Sequence, residues 1–528
     1  MLRINELRLP VDHTKEDLDL KIKKYIGKET GFSYKIVKRS LDSRKKPDLY
    51  YIYGIDIESE DEDRLLKRNK RLLKVQKKNY SFPYSFDRID DDKRPIVCGF
   101  GPAGMFCALY LARAGLRPVV YERGYDVDKR KVSVDRFWES GELDRISNVQ
   151  FGEGGAGTFS DGKLNTSVKE KNGMNHAVLS DLVRFGADED ILIDNKPHVG
   201  TDVLIKVVKN LRNEIISLGG EVHFESCVDG FGIEGGTLTS ISVNGKKVPC
   251  DIFILAPGHS ARDTFRLLKD SGLNIEPKGF AVGFRISHPA GIINEYAYGT
   301  PFHKKLGNAS YKLTHICNDG RGVYSFCMCP GGYVVNASSE DGMIAVNGMS
   351  YSGRSSERSN SAVIVTVEPD DYMSGDDVLS GMYFQQELEK RAFEAGKGSI
   401  PVQYYTEYKN GVLNEIRDDK VFECIKGRSA HVSLDGILPE YIKKDIIKGI
   451  DAFDGIIPGF ASDEAVLYAV ESRTSSPIRM PRNELYVSSI GNLYVCGEGA
   501  GYAGGIMSAA TDGIRVAENV AFALKAGS

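Results

Sequence analysis

The sequence predicts a three-part α/β protein: a small N-terminal α+β unit, a parallel-sheet domain split along the chain, and a strand-rich domain inserted between its halves. Three observations carry this reading. The first 60 residues alternate strand-like and helix-like patterns in a βαββ order. A short apolar strand runs into a glycine turn and a helix over residues 95–114. After a long stretch rich in Tyr, Gly and Ser, βα character returns only near residue 440. A chain of 528 residues has room for about three domains. Its 41% hydrophobic and 27% charged residues suit a globular protein with a real core.

In the N-terminal unit, RINELRLPV, SYKIVKRSL and LYYIYGIDIE alternate apolar and polar residues as strands do. Between the first two, HTKEDLDLKIKKYIG sets Leu18, Ile22 and Tyr25 at helical spacing behind Thr14 as N-cap. That order suggests a ferredoxin-like module over residues 1–80. Residues 60–78 read as a charged helix, acidic at its start and basic at its end, which suits the helix dipole. Residues 79–93 read as a linker.

Charge is uneven. Residues 1–80 carry 21 Lys and Arg against 14 Asp and Glu, a net of +7, while the whole chain is at −4. Such asymmetry marks either an arm for an anionic partner or a solvated helix face. No stretch approaches the ~20 apolar residues of a membrane span. MLRINELRLPVDHTKEDLDL puts charges where a signal peptide needs its apolar region. A cytoplasmic protein without a membrane partner is expected. Nine cysteines are too sparse for a disulfide scaffold, so they should be reduced.

The strongest motif is Gly99-Phe100-Gly101-Pro102-Ala103-Gly104, between the strand at 95–98 and a helix from Met105 to Ala114. Gly99 permits the tight turn, Gly101 lets backbone approach a pyrophosphate, and Gly104 lets helix and strand pack closely. The helix N-terminus then offers free N–H groups to phosphate. A second strand, Pro118 to Tyr121, ends in Glu122 and Arg123, and Glu122 stands where a carboxylate accepts ribose hydroxyls. This is a Rossmann-type dinucleotide site.

The far end of the chain narrows the nucleotide. GNLYVCGEGAG is a strand running into the turn Gly497-Glu498-Gly499, and Gly504-Gly505-Ile506 opens a last helix. This resembles the closing motif of the glutathione-reductase-type flavoproteins. The resemblance implies FAD, with Glu498 at the ribityl chain and the 504–506 amides facing the N1–C2=O edge of the flavin, where helix-end potential favours a reduced, anionic ring. FILAPG, with Ala256 and Gly258, looks like the "ATG" strand of those proteins. The expected division is therefore 1–80, a first FAD-binding part at 94–279, a β-rich substrate or cap domain at 280–435, and a second FAD-binding part at 436–528.

FGEGGAGTFSDGKL, ILAPGHSARDTF, VGFRISHP, VYSFCMCPGG, ESRTSSPIR and GEGAGYAGGIMSAATDGI together resemble one bacterial flavoprotein family, with a small N-terminal α/β extension. Its members are called FAD-dependent, or NAD(FAD)-utilising, dehydrogenases. The resemblance covers nearly the whole chain and implies no particular substrate.

Several residues outside the glycine turn are candidates. The glycine-dense loop 152–164 lets backbone press on a flat ring, and Gly157, Asp161, Gly162, Lys163 and Leu164 are assigned to the cofactor; the plainer reading is a mobile surface loop. Arg285, His288 and Arg473 are assigned to the substrate pocket, an arginine for a carboxylate or the reduced ring and the histidine as proton relay. The alternative pairs the arginines with acids such as Glu471 and leaves the histidine in the core. Cys327 and Cys329 fall on one strand face. Cys-x-Cys is not the dithiol motif of oxidoreductases, so two buried thiols near the ring fit better than a working disulfide, with Cys329 the catalytic candidate. Adding Cys317 yields no tetrahedral ligand set, and no metal is predicted.

The expected function is an FAD-dependent oxidoreductase acting on a small molecule. No second complete GxGxxG unit for NAD(P)H is read; Gly230 to Gly235 sits between strands rather than before a helix. NAD(P)H therefore enters only as a diffusible donor. Two other readings use the N-terminal module. In one, Lys35, Lys38, Arg39, Arg44, Lys45 and Lys46 with Tyr50, Tyr51 and Tyr53 dock RNA for a flavin-dependent modification. In the other, the module recruits a protein to a non-catalytic flavin-bound regulator.

Overall fold

A computed structural model describes all residues except 28–30, 77–78, 88, 167–169, 171, 374, 417–418 and 527–528. The N-terminal unit runs β1 (Leu2–Pro10), α1 (Lys15–Ile26), β2 (Phe32–Asp42), β3 (Tyr50–Ser59), α2 (Glu62–Arg68) and β4 (Leu73–Lys74). Its sheet has the order β2-β3-β1-β4, every neighbouring pair antiparallel. Thr14 starts α1 with a reciprocal capping box: its hydroxyl accepts from the Asp17 amide while Asp17 accepts from the Thr14 amide. Leu18, Ile22 and Ile26 then bury against Leu2, Ile4, Ile55 and Ile57. The charged run 60–78 is not one helix. It ends at Arg68, where Asn69 turns extended, and Leu73–Lys74 folds back onto β1. Seven helical residues are too few to hold a helix by propensity, so sheet pairing wins.

Residues 79–93 form a strap rather than a loose linker. Tyr80, Phe82, Tyr84 and Phe86 pack on the core around α3 (Pro102–Arg113), and the Tyr80 hydroxyl donates to Glu518 at 2.7 Å. The chain then builds β5 (Ile96–Cys98) ahead of α3, with β6 (Val119–Tyr121), β7 (Glu221–His223) and β8 (Phe253–Leu255) after it. Next comes an inserted, largely antiparallel seven-stranded sheet. At its centre lie β9 (Phe280–Pro289), β10 (Gly322–Cys329), β11 (Arg358–Val367) and β12 (Val466–Glu471), in the order β10-β11-β9-β12. The chain returns as β13 (Leu493–Val495) and helix α4 (Ile506–Ala526), which completes a five-stranded parallel sheet, β13-β8-β5-β6-β7.

The inserted sheet runs past the expected boundary at 435. The helix Glu440–Asp454, read as the returning βα unit, packs on the inserted sheet through Ile442, Ile446 and Ile450, and β12 pairs with β9. β12 (VLYAVE) is buried at every position, so its apolar run looks like either kind of central strand. Gly230 to Gly235 falls within the antiparallel strand Val228–Glu234 and the turn that follows it rather than ahead of a helix. Among the described residues no helix is long and apolar enough to cross a membrane.

The N-terminal unit is docked by charge and by Val11 and Leu49, which join the core of the inserted domain. Arg39 on β2 donates to Asp194 and Asp190, each at 2.7 Å, and its backbone exchanges hydrogen bonds with Ile193 and Asn195. Arg44 pairs with Asp42, Lys46 reaches the carbonyl of Tyr296, Tyr53 is buried, and Arg8 covers the Tyr50 ring. Arg39→Ala is expected to remove ~1 kcal/mol of this docking and to raise tryptic cleavage within 79–93 several-fold; an unchanged cleavage rate would show that apolar contacts alone hold the unit.

Candidate functional site

β5, α3 and β8 meet so closely that only glycine fits between them. A Cβ at Gly99 would stand 2.3 Å from the Ala256 carbonyl oxygen, and one at Gly104 1.9 Å from that of Gly99. Gly99 also has φ of 96°, a region closed to most L residues. α3 opens on Gly101 with no side-chain cap, so the N–H groups of its first turn after Pro102 have neither a capping side chain nor a partner within the helix, as an anion site requires. They border a cavity of about 340 Å³ between the parallel sheet and the inserted domain.

Gly99, Gly101, Pro102 and Ala103 line this cavity; Gly104 lies behind them as packing. Glu122 lines it too, but its carboxylate first ties the turn together. It accepts from the amides of Phe100 at 2.8 Å, Gly124 at 2.9 Å and Gly152 at 3.0 Å. Three of about four lone-pair directions are thus used by backbone. Arg123 also lines the cavity, lying over the Phe151 ring and donating to Asp263 and Thr264.

The loop 152–164 is built into the fold. A short 3₁₀ turn, Gly155–Phe159, buries Thr158 and Phe159, and a Cβ on Gly155 would come within 3.0 Å of the Gly101 Cα. Asp161 is buried and pairs with Lys163 at 2.9 Å and Arg354 at 2.5 Å, while the Ser350 hydroxyl donates to it. Burial opposes ionisation, yet the two cations keep this carboxyl below its usual range. Gly157, Asp161, Gly162 and Lys163 reach the cavity. Leu164 does not; it packs into the core under α3.

Ala256, Gly258, Glu498, Gly504, Gly505 and Ile506 form the far wall. Nothing lies within 4 Å of a Cβ built on Gly258, Gly504 or Gly505, so these glycines leave space. Gly497 and Gly499 do not line the cavity. Gly497 has φ of 78°, and a Cβ on Gly499 would meet the Gly258 carbonyl at 2.4 Å, so both shape the turn that presents Glu498. Glu498 accepts from His259 Nδ1 at 2.9 Å, and His259 Nε2 is buried in the cavity wall without a partner. Sequence reasoning passed over His259, although it directly follows the strand-end glycine.

On the inserted side, Arg473 reaches the cavity but pairs with Glu389 rather than Glu471. Glu389 also takes both Nη atoms of Arg262, at 2.9 and 2.7 Å. Burial disfavours the Glu389 charge, and the two guanidiniums outweigh it and hold the carboxyl well below its ordinary value. Arg285 does not line the cavity. It is fully buried beneath it and donates to Glu471 at 2.8 Å, Asn360 at 2.6 Å and the Cys327 carbonyl at 2.5 Å. Glu471 does reach the cavity, and burial pushes its carboxyl up to about 7 despite Arg285.

His288 is not in the pocket. Its Nε2–H donates to the Phe460 carbonyl at 2.7 Å and its ring centroid lies 4.2 Å from that of Phe460. Arg285 and His288 have opposite parity on β9 and so face opposite sides of the sheet. Cys329 is likewise fully buried off the cavity, whereas Cys327 lines it. Cys317 groups with Asp319 and Asp445 instead of with those thiols, and Lys448 pairs with Asp445.

Residues 279–474 match the family described as "FAD-dependent protein, C-terminal domain-like", and residues 1–58 match a domain of unknown function. An uncharacterized protein of Clostridium beijerinckii is 44% identical over 98% of both chains. Among solved structures, a triple mutant of the flavin-dependent brominase Bmp2 shares 11% identity over 82% of this chain and 81% of its own, with TM-score 0.35. CtdE in complex with FAD shares 13% over 82% and 84%, TM-score 0.32, and L-proline dehydrogenase from P. horikoshii 12% over 83% and 94%, TM-score 0.34. At such scores these three carry no argument about the reaction. The open glycine cradle, the uncapped helix amides and the orphaned His259 nitrogen all fit a long nucleotide with a flat ring. The chain is an FAD-dependent protein. It belongs to the same family as the C. beijerinckii protein.

Two of these contacts have measurable consequences. Glu389→Ala leaves the buried guanidiniums of Arg262 and Arg473 with only Glu340 as a carboxylate partner and should cost ~3 kcal/mol, read as a large fall in thermal midpoint; a fall of only a degree or two would mean that Glu340 alone suffices. Burial lowers the His288 pKa to about 4 from an ordinary 6.5. Between those values the unfolded chain binds more protons, so stability is full above pH 6.5 and is lost as pH falls towards 4. His288→Gln keeps a donor for Phe460 and should flatten part of that acid decline in thermal midpoint. Parallel curves for variant and wild type would refute the assignment.

Proposed function

We propose that this protein is an FAD-dependent oxidoreductase, a dehydrogenase that moves hydride or electrons between a small-molecule substrate and bound FAD. The observation that carries the proposal is one continuous cavity. At one end lie the uncapped amides of α3; at the other, the wall of the inserted domain supplies Glu471, Thr474 and Phe326. The parallel sheet with its glycine turn supports a Rossmann-type assignment. The βαββαβ order with sheet β4-β1-β3-β2 supports a ferredoxin-like one for the N-terminal unit. When bound, FAD supplies the two-electron chemistry.

The chain's own residues would do the rest. The first-turn amides of α3 bind the pyrophosphate, with Gly99, Gly101, Pro102, Ala103 and Gly104 shaping the turn. Glu122 and Arg123 take the adenosine end, and Glu498 with His259 takes the ribityl region. Gly157, Asp161, Gly162 and Lys163 press backbone and charge on the ring side, opposite Gly504, Gly505 and Ile506. Arg473, held by Glu389, Ser260 and Ser339, would lend positive potential to the cavity wall on the substrate side. Glu471 is shared between protonated and ionised forms near neutral pH, so it can hold or release a proton at the cavity wall. NADH or NADPH would act as a diffusible donor.

The test starts with the absorbance spectrum of purified protein, followed by anaerobic addition of NADH and NADPH separately. Flavin bands that bleach with one nucleotide support a nucleotide-fed reductase. Bands that neither nucleotide bleaches support a substrate-fed dehydrogenase, and absence of flavin after adding FAD back refutes the reading. His259→Ala should weaken FAD retention by about tenfold, the loss of one hydrogen bond to a charged group; unchanged retention would remove His259 from the site.

A further inference from the structure

Cys327 occupies an unusual place in the cavity wall. β10 slips register against β11 between Phe326 and Cys329. At the slip, Cys327 takes φ of 43°, the left-handed region where a Cβ is crowded. Backbone strain of this kind gathers at working sites. The strained residue is gripped from beneath: Arg285 Nη2 donates to its carbonyl at 2.5 Å and to Cys329 Sγ at 3.4 Å. A Cβ at position 348 would stand 2.0 Å from that Nη2 and 2.5 Å from the Cys329 sulfur, so Gly348 alone admits this contact. Lys163 faces the same cavity, its ammonium on Asp161.

We propose that Cys327 is a nucleophilic thiolate of the cofactor cavity, poised to attack a small molecule that bears an electrophilic carbon. Cys329 is its thiol neighbour, and Lys163 and Arg285 are its counter-charges. One sulfur suffices for such an attack. Cys329 is fully buried, with its thiol on the Cys327 carbonyl at 3.3 Å, which argues against a dithiol cycle. Phe326, next to Cys327 in the cavity lining, suits an apolar ligand. In the step itself a sulfur lone pair forms the S–C bond, and the pair of the broken bond leaves with the displaced group. No proton need move, because sulfur starts deprotonated. The neighbouring Cys329 and the two cations bring the Cys327 thiol down to about 5, against the effect of burial, while burial sends Cys329 well above the ordinary range.

The experiment is alkylation of the full chain by iodoacetamide between pH 4.5 and 9, with labelled peptides mapped by mass spectrometry. Here the displaced group is iodide. Cys327 should label first, with its rate half-maximal near pH 5. Cys98, another cavity cysteine, is pushed up to about 12 by burial and should stay unlabelled at pH 6. Lys163→Met should move the Cys327 midpoint upward by about one pH unit. Cys329→Ala should also raise it, and Cys329→Ser, which keeps a donor, should restore most of the shift. Flavin absorbance of the same samples reports folding and cofactor retention separately, so the two readings can fail independently. A midpoint above pH 8, or no labelling of Cys327 at pH 7, overturns the proposal.

Discussion

The structure depends on one packing constraint: the backbone contact among β5, α3 and β8. Two carbonyl oxygens occupy the space where side chains of Gly99 and Gly104 would stand. Glu122 then ties three amides of the turn and the following loop. Replacing either glycine would push the helix off the sheet. The helix N-terminus would no longer meet the cavity, and the loop 152–164, fixed through Gly152 and Gly155, would move with it. Close-packed interiors transmit such displacements rather than absorb them. The same constraint recurs where α4 crosses α3, since a Cβ at Gly513 would meet the Ala103 carbonyl at 2.1 Å.

A second layer of order is ionic and buried. Glu389 between Arg262 and Arg473 links the parallel-sheet domain to a helix of the inserted domain and to the segment after β12. Arg285 with Glu471 does the same within the inserted sheet, directly under the cavity floor. Such pairs gain little over apolar packing but are costly to break. They therefore hold the inserted domain in one orientation over the cavity. That orientation brings Glu471, Cys327 and Arg473 to the wall facing the glycine turn.

Much of the fold was legible because its signals are local. The capping box at Thr14 and the strand–glycine–helix unit at 95–114 need only neighbours in sequence to act. The parity of β9 was local too, yet the sequence reading put Arg285 and His288 in one pocket although they fall on opposite faces. What misled was where local patterns are degenerate. β12 reads the same in either sheet, and the charges of 60–78 describe a helix that sheet pairing cuts short. The aromatic residues of 79–93 carry no period to announce that they cover α3.

Local sequence sets the glycine cradle, because glycine spacing and the strand-end acid Glu122 act through backbone geometry that a few neighbouring residues impose. Which polar side chains face the cavity depends on contacts between distant segments. Arg285 sinks under the floor, and Arg473 turns to Glu389 instead of Glu471. His259 gains Glu498, and Cys327 rather than Cys329 reaches the surface of the wall. The physical reason is that burial and pairing here are set by residues far apart in the chain, from 42 positions for Arg285 and Cys327 to 239 for His259 and Glu498. A charge buried without its partner costs more than a single domain can supply. The partners, and hence the directions the side chains take, exist only once the inserted domain has closed over the parallel sheet.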